Sequence, residues 1–578
     1  MTYLAAPISA ESMDQAKQQA QAAVAAGAQM LELRTDYLQG LSVDLARSLL
    51  GMVRDVAGRL PLLVTCRDPQ EGGAIAYSEQ TRLDVLLAAL EAGAEFIDFE
   101  YANFVRRGNA GRLQTALAAR PASRLILSAH DFKGPFPNLR TLYCDMTKAC
   151  REAIPKLVYT ANHICDCFEA FDLLHEAGGD RIVFCMGEPG LISRILAKKL
   201  GSFVTFASID AQAATAPGQL TLDEFKRLYR YDAIDADTEL FGVIADPVGH
   251  SLSPAIHNAC FAELKMNKLY LPLHVQGGRE QFDVFLNNVA ARPRLDFHGF
   301  SVTIPHKASA LEYVRAKDGF IEPLADKIGA ANTLILETPA WRGRPALVPR
   351  VEGVPPSNRG QSLPPTRSGD ARDTQGQDAL ATEGRAGTHD LRRGRLAAYN
   401  TDYAGALGAI TAGMGIERKD LKDMPVAVVG AGGVSRAIVA GLTDAGAKVT
   451  IYNRTVERAE KLAADFGCQA AGLDALAHVG QTQNLASLLV NCTSIGMHPH
   501  TDATPVPAEY IKPGMAVFDT VYNPAETLLL KQAKARGART IDGITMFVNQ
   551  AAAQFHLFTG HPANTDLMRK TVLDSLRC

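Results

Sequence analysis

Short apolar runs punctuate the first 210 residues at fairly even intervals. They are YLAAPI (3–8), MLELRTD (30–36), LLVTCRD (62–68), FIDFEY (96–101), RLILSAHD (124–131), KLVYTA (156–161), RIVFCMGE (181–188) and FVTFAS (203–208). Between them, segments such as SEQTRLDVLLAALEAGA carry apolar residues at helical spacing and end in glycine, which predicts helices. Eight such βα units in roughly 225 residues predict a (β/α)8 barrel.

Several polar residues fall where the predicted strands end: Glu32, Arg34, Arg67, Glu100, His130 and Asp131. Singly, each reads as a surface charge; in a barrel those ends converge on one face. Lys156 is different, because it opens an apolar strand after AIP, where a solvated lysine is not expected. It is either an exposed strand start or an interior lysine. In the interior, desolvation and nearby positive charge would lower its pKa, and the free amine could attack a ketone.

Beyond residue 420 the pattern changes to MPVAVVGAGGVSRAIVAGLTDAGAKVTIYNRT (424–455): strand, Gly-rich turn, helix, strand. Gly430 and Gly432 open the turn and let a pyrophosphate approach a helix N-terminus. Ser435 stands where GxGxxG has its third glycine. The second strand ends at Asn453-Arg454-Thr455 instead of an acidic residue. Arg454, with Arg458 one turn on, suits the 2′-phosphate of NADP; the alternative is a solvated arginine.

Composition narrows the function class only modestly. At 578 residues the chain should hold about three or four domains. Hydrophobic residues make up 47% and charged residues 21% of the sequence, as in soluble globular proteins. A net charge of −3 gives no reason to expect nucleic acid or an anionic membrane as partner. Ten scattered cysteines include Cys165 and Cys167 but no CxxC pair with matching histidines, so no metal site is expected. The N-terminal residues lack the pattern of a secretory or transit leader, and no apolar run reaches the ~20 residues of a membrane span. The sequence therefore predicts a soluble cytoplasmic protein with small-molecule partners, and it sets no oligomeric state.

Longer motifs carry a resemblance. ELR (32–34), CRDPQEGG (66–73), SAHDF (128–132), PKLV (155–158), MGEPGLISR (186–194) and APGQ (216–219) occur in the order of the type I 3-dehydroquinate dehydratases, which residues 1–225 resemble. The resemblance implies Lys156 as imine-forming nucleophile and His130 as proton shuttle. It places Glu32, Arg34, Arg67, Arg194, Thr215 and Gln219 on the substrate, with Thr215 at a position where bacterial members commonly have serine.

FGVIADPVGHSLSPAIHN (241–258), GFSVTIPHK (299–307), GAANTLI (329–335) and AYNTDYAG (398–405) resemble the substrate domain of shikimate dehydrogenase. NCTSIGM (491–497), VFDTVYNP (517–524) and DGITMFVNQAA (542–552) resemble the rest of that family. This resemblance implies Ser251, Ser253, Thr303, Asn332, Asp402, Tyr522 and Gln550 around shikimate. Lys307 and Asp402 would exchange the proton of its C3 oxygen; a structural salt bridge is the plainer reading of that pair. NADP(H) would contact Gly430, Ala431, Gly432, Gly433, Val434, Ser435, Asn453, Arg454, Thr455, Arg458, Thr520 and Gly543. Thr520 departs from the family, which often has an apolar residue there.

The expected organisation is a barrel (1–225), a substrate domain (240–415), a Rossmann-type NADP domain (416–545) and C-terminal helices (546–578) packing back on the substrate domain. Residues 339–395, rich in Pro, Gly, Arg, Ser and Asp, read as a disordered insertion within the second of these. The expected activity is dehydration of 3-dehydroquinate, then NADPH-dependent reduction to shikimate. Two rivals are a second module that prefers quinate and a catalytically silent quinate-responsive regulator. Retained His130, Lys156, Lys307 and Asp402, with no basic recognition helix, count against the regulator.

Overall fold

Eight parallel strands form the first sheet of the computed structural model: β1 (Tyr3–Ile8), β2 (Met30–Arg34), β3 (Leu62–Thr65), β4 (Phe96–Glu100), β5 (Arg124–Asp131), β6 (Ile154–Thr160), β7 (Ile182–Met186) and β8 (Val204–Phe206). Their order, β7-β6-β5-β4-β3-β2-β1-β8, is that of a barrel, with Phe203 N donating to Arg181 O (2.7 Å) where β7 and β8 begin. The structure describes residues 1–106, 108–210, 212, 215–216, 218–249, 251–336, 396–478 and 486–577.

Period-2 alternation fills the barrel interior. Met30, Phe96, Ile126, Ile154, Ile182 and Val204 belong to one buried cluster; residues two and four positions further along β2, β4 and β5 are polar, and on β6 the residue two further is Lys156. Outside, helices start where a side chain satisfies an orphan N–H. Ser42 caps Val43–Ala57, Ser78 caps Glu79–Glu91 and Asn138 caps Leu139–Ala149.

A second sheet runs β10-β9-β11-β13-β14-β12 and contains β9 (Glu239–Ala245), β10 (Lys268–His274), β11 (Phe297–Val302), β12 (Phe320–Ile321), β13 (Thr333–Leu336) and β14 (Leu396–Tyr399). Antiparallel pairing of β13 and β14 sets Leu336 opposite Leu396. The expected insertion at 339–395 lies outside the described residues, and the residues flanking it sit side by side on neighbouring strands.

The third sheet is wholly parallel, with β15 (Pro425–Val429), β16 (Lys448–Asn453), β17 (Gln469–Gly472), β18 (Leu488–Asn491), β19 (Ala516–Asp519) and β20 (Arg539–Ile541). Its order, β17-β16-β15-β18-β19-β20, is the 3-2-1-4-5-6 arrangement of dinucleotide-binding folds, with the strand order reversing beside β15. The long helix Gly543–Thr559 starts at the Asp542 cap, so the expected boundary after residue 545 falls inside it. That helix and Thr565–Ser575 supply Phe547, Phe555, Phe558, Met568 and Val572 to the core of the second sheet.

The connection at 226–238 is packed rather than loose. Tyr231 is buried and donates to Thr2 O (2.9 Å), while Lys198 donates to the carbonyls of Tyr231 and Asp232 (both 3.0 Å). Arg292 of the second unit forks onto Asp172 of the barrel (2.8 and 2.7 Å). Among the described residues no helix is long and apolar enough to cross a membrane, and no group of three His, Cys, Asp or Glu side chains could hold a metal ion.

Candidate active sites

The barrel lumen gathers one charged network. Lys156 Nζ donates to Asp98 Oδ2 (2.8 Å) and sits 4.7 Å from the Phe206 ring centroid. Arg67 pairs with Asp98 (2.8 Å) and Glu100 (3.0 Å) and donates to Ser128 Oγ (2.7 Å). Arg82, buried on the helix Glu79–Glu91, bridges Glu100 (2.8 Å) and Asp68 (2.5 Å). Burial opposes ionisation of Asp98, but Arg67 and Lys156 overcome it and hold this carboxyl far below the usual range. Two cations thus share one carboxylate, so Asp98 remains paired if Lys156 loses its charge.

His130 Nδ1 lies 2.9 Å from Glu71 Oε2, and its backbone N–H reaches the same oxygen (3.1 Å). Burial first, then Arg67 and Lys156, push the imidazole well below its ordinary pKa. Burial pushes the Glu71 carboxyl up to about 8. The ring is therefore a neutral base at neutral pH, held in orientation by a carboxyl group.

The other expected barrel residues fall around this pair in different states of engagement. Glu32 accepts from Thr65 Oγ1 (2.8 Å), and Arg34 forks onto Asp36 (2.9 and 2.8 Å). Thr215 donates twice to Gln219 Oε1 (2.8 and 3.2 Å). Arg194 is only 1% exposed, stands 4.6 Å from the Phe184 ring centroid, and has no partner for Nε and Nη2. Burial lowers its pKa to about 10, which leaves it charged at neutral pH. Asp131 instead accepts from the N–H groups of Lys133 and Gly134 (2.8 and 3.3 Å), which fastens a turn.

A second pocket, of about 380 Å³, opens between the second and third sheets. Lys307 and Asp402 begin the helices Lys307–Ala316 and Asp402–Met414, and Lys307 Nζ donates to Asp402 Oδ2 (2.6 Å). A helix N-terminus favours the carboxylate and disfavours the ammonium, so the ion pair is what holds Lys307 there. Ser251, Ser253, Thr303, Tyr522 and Gln550 line the same pocket. Asn332 stands behind it, donating to Gln550 Oε1 (3.2 Å) and Thr401 Oγ1 (3.0 Å). A seryl–glutamine pair, Ser301 Oγ to Gln554 Oε1 (2.8 Å), completes the wall.

The Gly-rich turn borders this pocket through Val434. Gly430 adopts φ +107, and a Cβ there would meet Thr493 Cγ2 at 3.0 Å and the Cys492 carbonyl carbon at 3.2 Å, so only glycine fits. Nothing lies within 4 Å of where a Cβ of Gly432 or Gly433 would be, which leaves the helix N-terminus open to a phosphate. Ser435 faces inward, fully buried, accepting from Gly432 N (3.1 Å); its side chain braces the turn. Ala431 is half-buried, and Arg454, Thr455 and Arg458 are exposed beyond β16. Asn453 donates to Thr455 O (2.8 Å). Thr520 and Gly543 line the pocket, and a Cβ on Gly543 would stand 2.4 Å from Val521 O.

Family models match in succession along the chain. The model described as Type I 3-dehydroquinase covers residues 4–236, and that of the shikimate dehydrogenase substrate binding domain covers 243–334. Shikimate / quinate 5-dehydrogenase matches 414–499, and the shikimate 5′-dehydrogenase C-terminal domain matches 543–573. The bifunctional 3-dehydroquinate dehydratase/shikimate dehydrogenase, chloroplastic, of Arabidopsis thaliana is 32% identical over 98% of this chain and 83% of its own length. A shikimate dehydrogenase (NADP(+)) of Methanosarcina acetivorans is 33% identical over 58% of this chain and 99% of its own. The shikimate 5-dehydrogenase of Thermus thermophilus, solved with NADP(H) and shikimate, aligns at TM-score 0.43 and 30% identity over 58% of this chain and all of that one. With the Arabidopsis relative matched across most of its length and nearly all of this chain, the chain belongs to the bifunctional 3-dehydroquinate dehydratase/shikimate dehydrogenase family.

Proposed function

We propose that the two pockets carry out consecutive steps on one carbon skeleton. The barrel dehydrates 3-dehydroquinate to 3-dehydroshikimate, and the second pocket reduces that product to shikimate with NADPH. The observation that carries this reading is a buried lysine and a neutral histidine in one lumen, with a Lys307–Asp402 pair beside a Gly-rich turn on the same chain.

In the barrel, the Lys156 amine attacks the C3 ketone and expels water to form an imine. His130 removes the C2 proton, and the resulting enamine expels the C1 hydroxyl, which leaves as water on receiving that proton. Water then hydrolyses the imine and restores the lysine. Arg67 keeps Asp98 paired while Lys156 is the neutral nucleophile. The free donors of Arg194 suit the substrate carboxylate, which a guanidinium grips with two parallel hydrogen bonds. Glu32, Arg34, Thr215 and Gln219 position the hydroxyls.

Glu71 gives a pH test. Burial keeps its carboxyl protonated up to about pH 8; ionisation above that leaves the neutral ring uncharged but turns the carboxyl into an acceptor only, so that Nδ1 carries the ring proton and Nε2 is left as the free base. Dehydratase kcat/KM should therefore rise above about pH 8, and Glu71→Gln should remove that limb while leaving shikimate oxidation unchanged. A limb that persists unaltered in the variant would assign it to another group.

In the second pocket Ser251, Ser253, Thr303, Asn332, Tyr522 and Gln550 hold the shikimate skeleton, and Lys307 donates a proton to the C3 oxygen while Asp402 orients it. NADP(H) would lie across Gly430–Ser435, with Asn453, Arg454, Thr455 and Arg458 around its 2′-phosphate and Thr520 and Gly543 toward the substrate. The bound nicotinamide supplies the hydride. Replacing Arg454 and Arg458 together by alanine should raise KM for NADP+ by about tenfold or more, with KM for NAD+ and for shikimate little changed. An equal loss for both nucleotides would place the 2′-phosphate elsewhere.

We assign residues 1–225 to the dehydratase, 240–415 to shikimate binding, 416–542 to the nucleotide and the last two helices to closing the shikimate domain. Nine described cysteines are unpaired, which fits a reducing compartment such as the cytoplasm.

A further inference from the structure

A cavity of about 580 Å³ lies where the barrel, the connection and the second unit meet. It sits by the residues preceding β7 and β8, the opposite end of the barrel strands from His130. It shares no lining residue with the Lys307 pocket. Its floor is apolar, made by the buried Phe171, Leu174 and Leu295, with Leu200 and Pro293 also in the lining.

The charge on its walls is unbalanced. Arg181, Lys199, Arg292, Arg294 and His175 line it, against one carboxylate, Asp172. Asp172 is already gripped by the Arg292 fork (2.8 and 2.7 Å). Arg181 is 8% exposed; its Nη1 donates to Gly179 O (2.5 Å), and its Nε has no partner. The neighbouring Asp180 is taken by Arg124 (2.6 Å). Lys199, 7% exposed, donates to Ala236 O (2.7 Å) and feels Asp296, Asp235, Asp237 and Glu239 nearby. Arg181 is thus a buried guanidinium without a carboxylate of its own, an arrangement that costs stability until an anion meets it.

We propose that this cavity binds a small aromatic carboxylate, its ring on the apolar floor and its carboxylate anchored by Arg181. A monoanion with a flat apolar body matches the one buried cation here that has an unpartnered donor and no carboxylate, Arg181, above such a floor. The volume suits a ligand of that class, since pockets for small molecules span roughly 300–1,000 Å³. Because barrel, connection and second unit all contribute walls, the bound ligand would clasp the two enzymes together.

The test is 19F NMR titration of the full chain with 4-fluorobenzoate. Both catalytic pockets are filled with 3-dehydroshikimate, and nicotinamide nucleotide is left out. Saturable binding is expected, with 4-fluorobenzamide, which lacks the charge, failing to compete. Arg181→Gln should weaken binding by about tenfold or more. Ala291→Trp, filling the cavity from its exposed rim, should do the same. Dehydration and shikimate oxidation should persist in both variants, which excludes misfolding. Unchanged affinity in either variant, or equal binding of the amide, would overturn the proposal. Tighter binding of inorganic phosphate than of 4-fluorobenzoate would overturn the ligand class.

Discussion

Replacing Lys156 by alanine should stop dehydration of 3-dehydroquinate, with kcat falling by about 10⁴-fold or more, while shikimate oxidation by the same protein continues. The size of the loss follows from the role: among the described residues no other amine joins the lumen network to form the imine. The variant should fold, because Asp98 keeps its pair with Arg67 at 2.8 Å and is not left as a bare buried charge. Sodium borohydride added with 3-dehydroquinate should fix the substrate covalently to the wild-type chain at Lys156 and leave the alanine variant unlabelled. Labelling elsewhere, or a variant that still dehydrates, would remove the imine from the mechanism.

Lys307→Ala should produce the mirror image. Shikimate oxidation should fall by about 10²–10⁴-fold, the range of a lost general acid, with dehydration intact. KM for shikimate should move less than kcat, since Ser251, Ser253, Thr303 and Gln550 still line the pocket. Asp402 would lose its 2.6 Å partner but stays at a helix N-terminus, which favours its charge. Steady-state assays of the two reactions on one preparation check this. A parallel fall in both would contradict two separate sites.

Much of the frame was legible because its signals are local. All eight barrel strands coincide with short apolar runs, and the Gly-rich turn follows β15 as its pattern requires. Side-chain chemistry was legible where a strand ended in a polar residue, as at Glu32, Arg34 and His130. Asp98 was not singled out, although alternation from Phe96 to Glu100 puts it on the inward face, two residues before the Glu100 that was. It reads as one acid inside an apolar strand until β6 brings Lys156 to it.

Glu71 and Arg82 had no such signal. One lies in the short turn Pro69–Glu71 and the other within a helix, and their partners are 59 and 18 residues away. Ser301 and Gln554 met only in three dimensions, across 253 residues. The expected positive neighbour of Lys156 does exist in Arg67, but a shared carboxylate separates the two, which composition could not show. Ser435 was expected at the cofactor; burial and its bond to Gly432 N turn its hydroxyl into a brace for the turn.

The central claim, two consecutive active sites on one chain, is tested most directly by giving the purified protein 3-dehydroquinate and NADPH and following 3-dehydroshikimate, shikimate and NADPH together. The account predicts one shikimate formed and one NADPH oxidised for each 3-dehydroquinate consumed. Accumulation of 3-dehydroshikimate with NADPH untouched, or no consumption of 3-dehydroquinate at all, would contradict it.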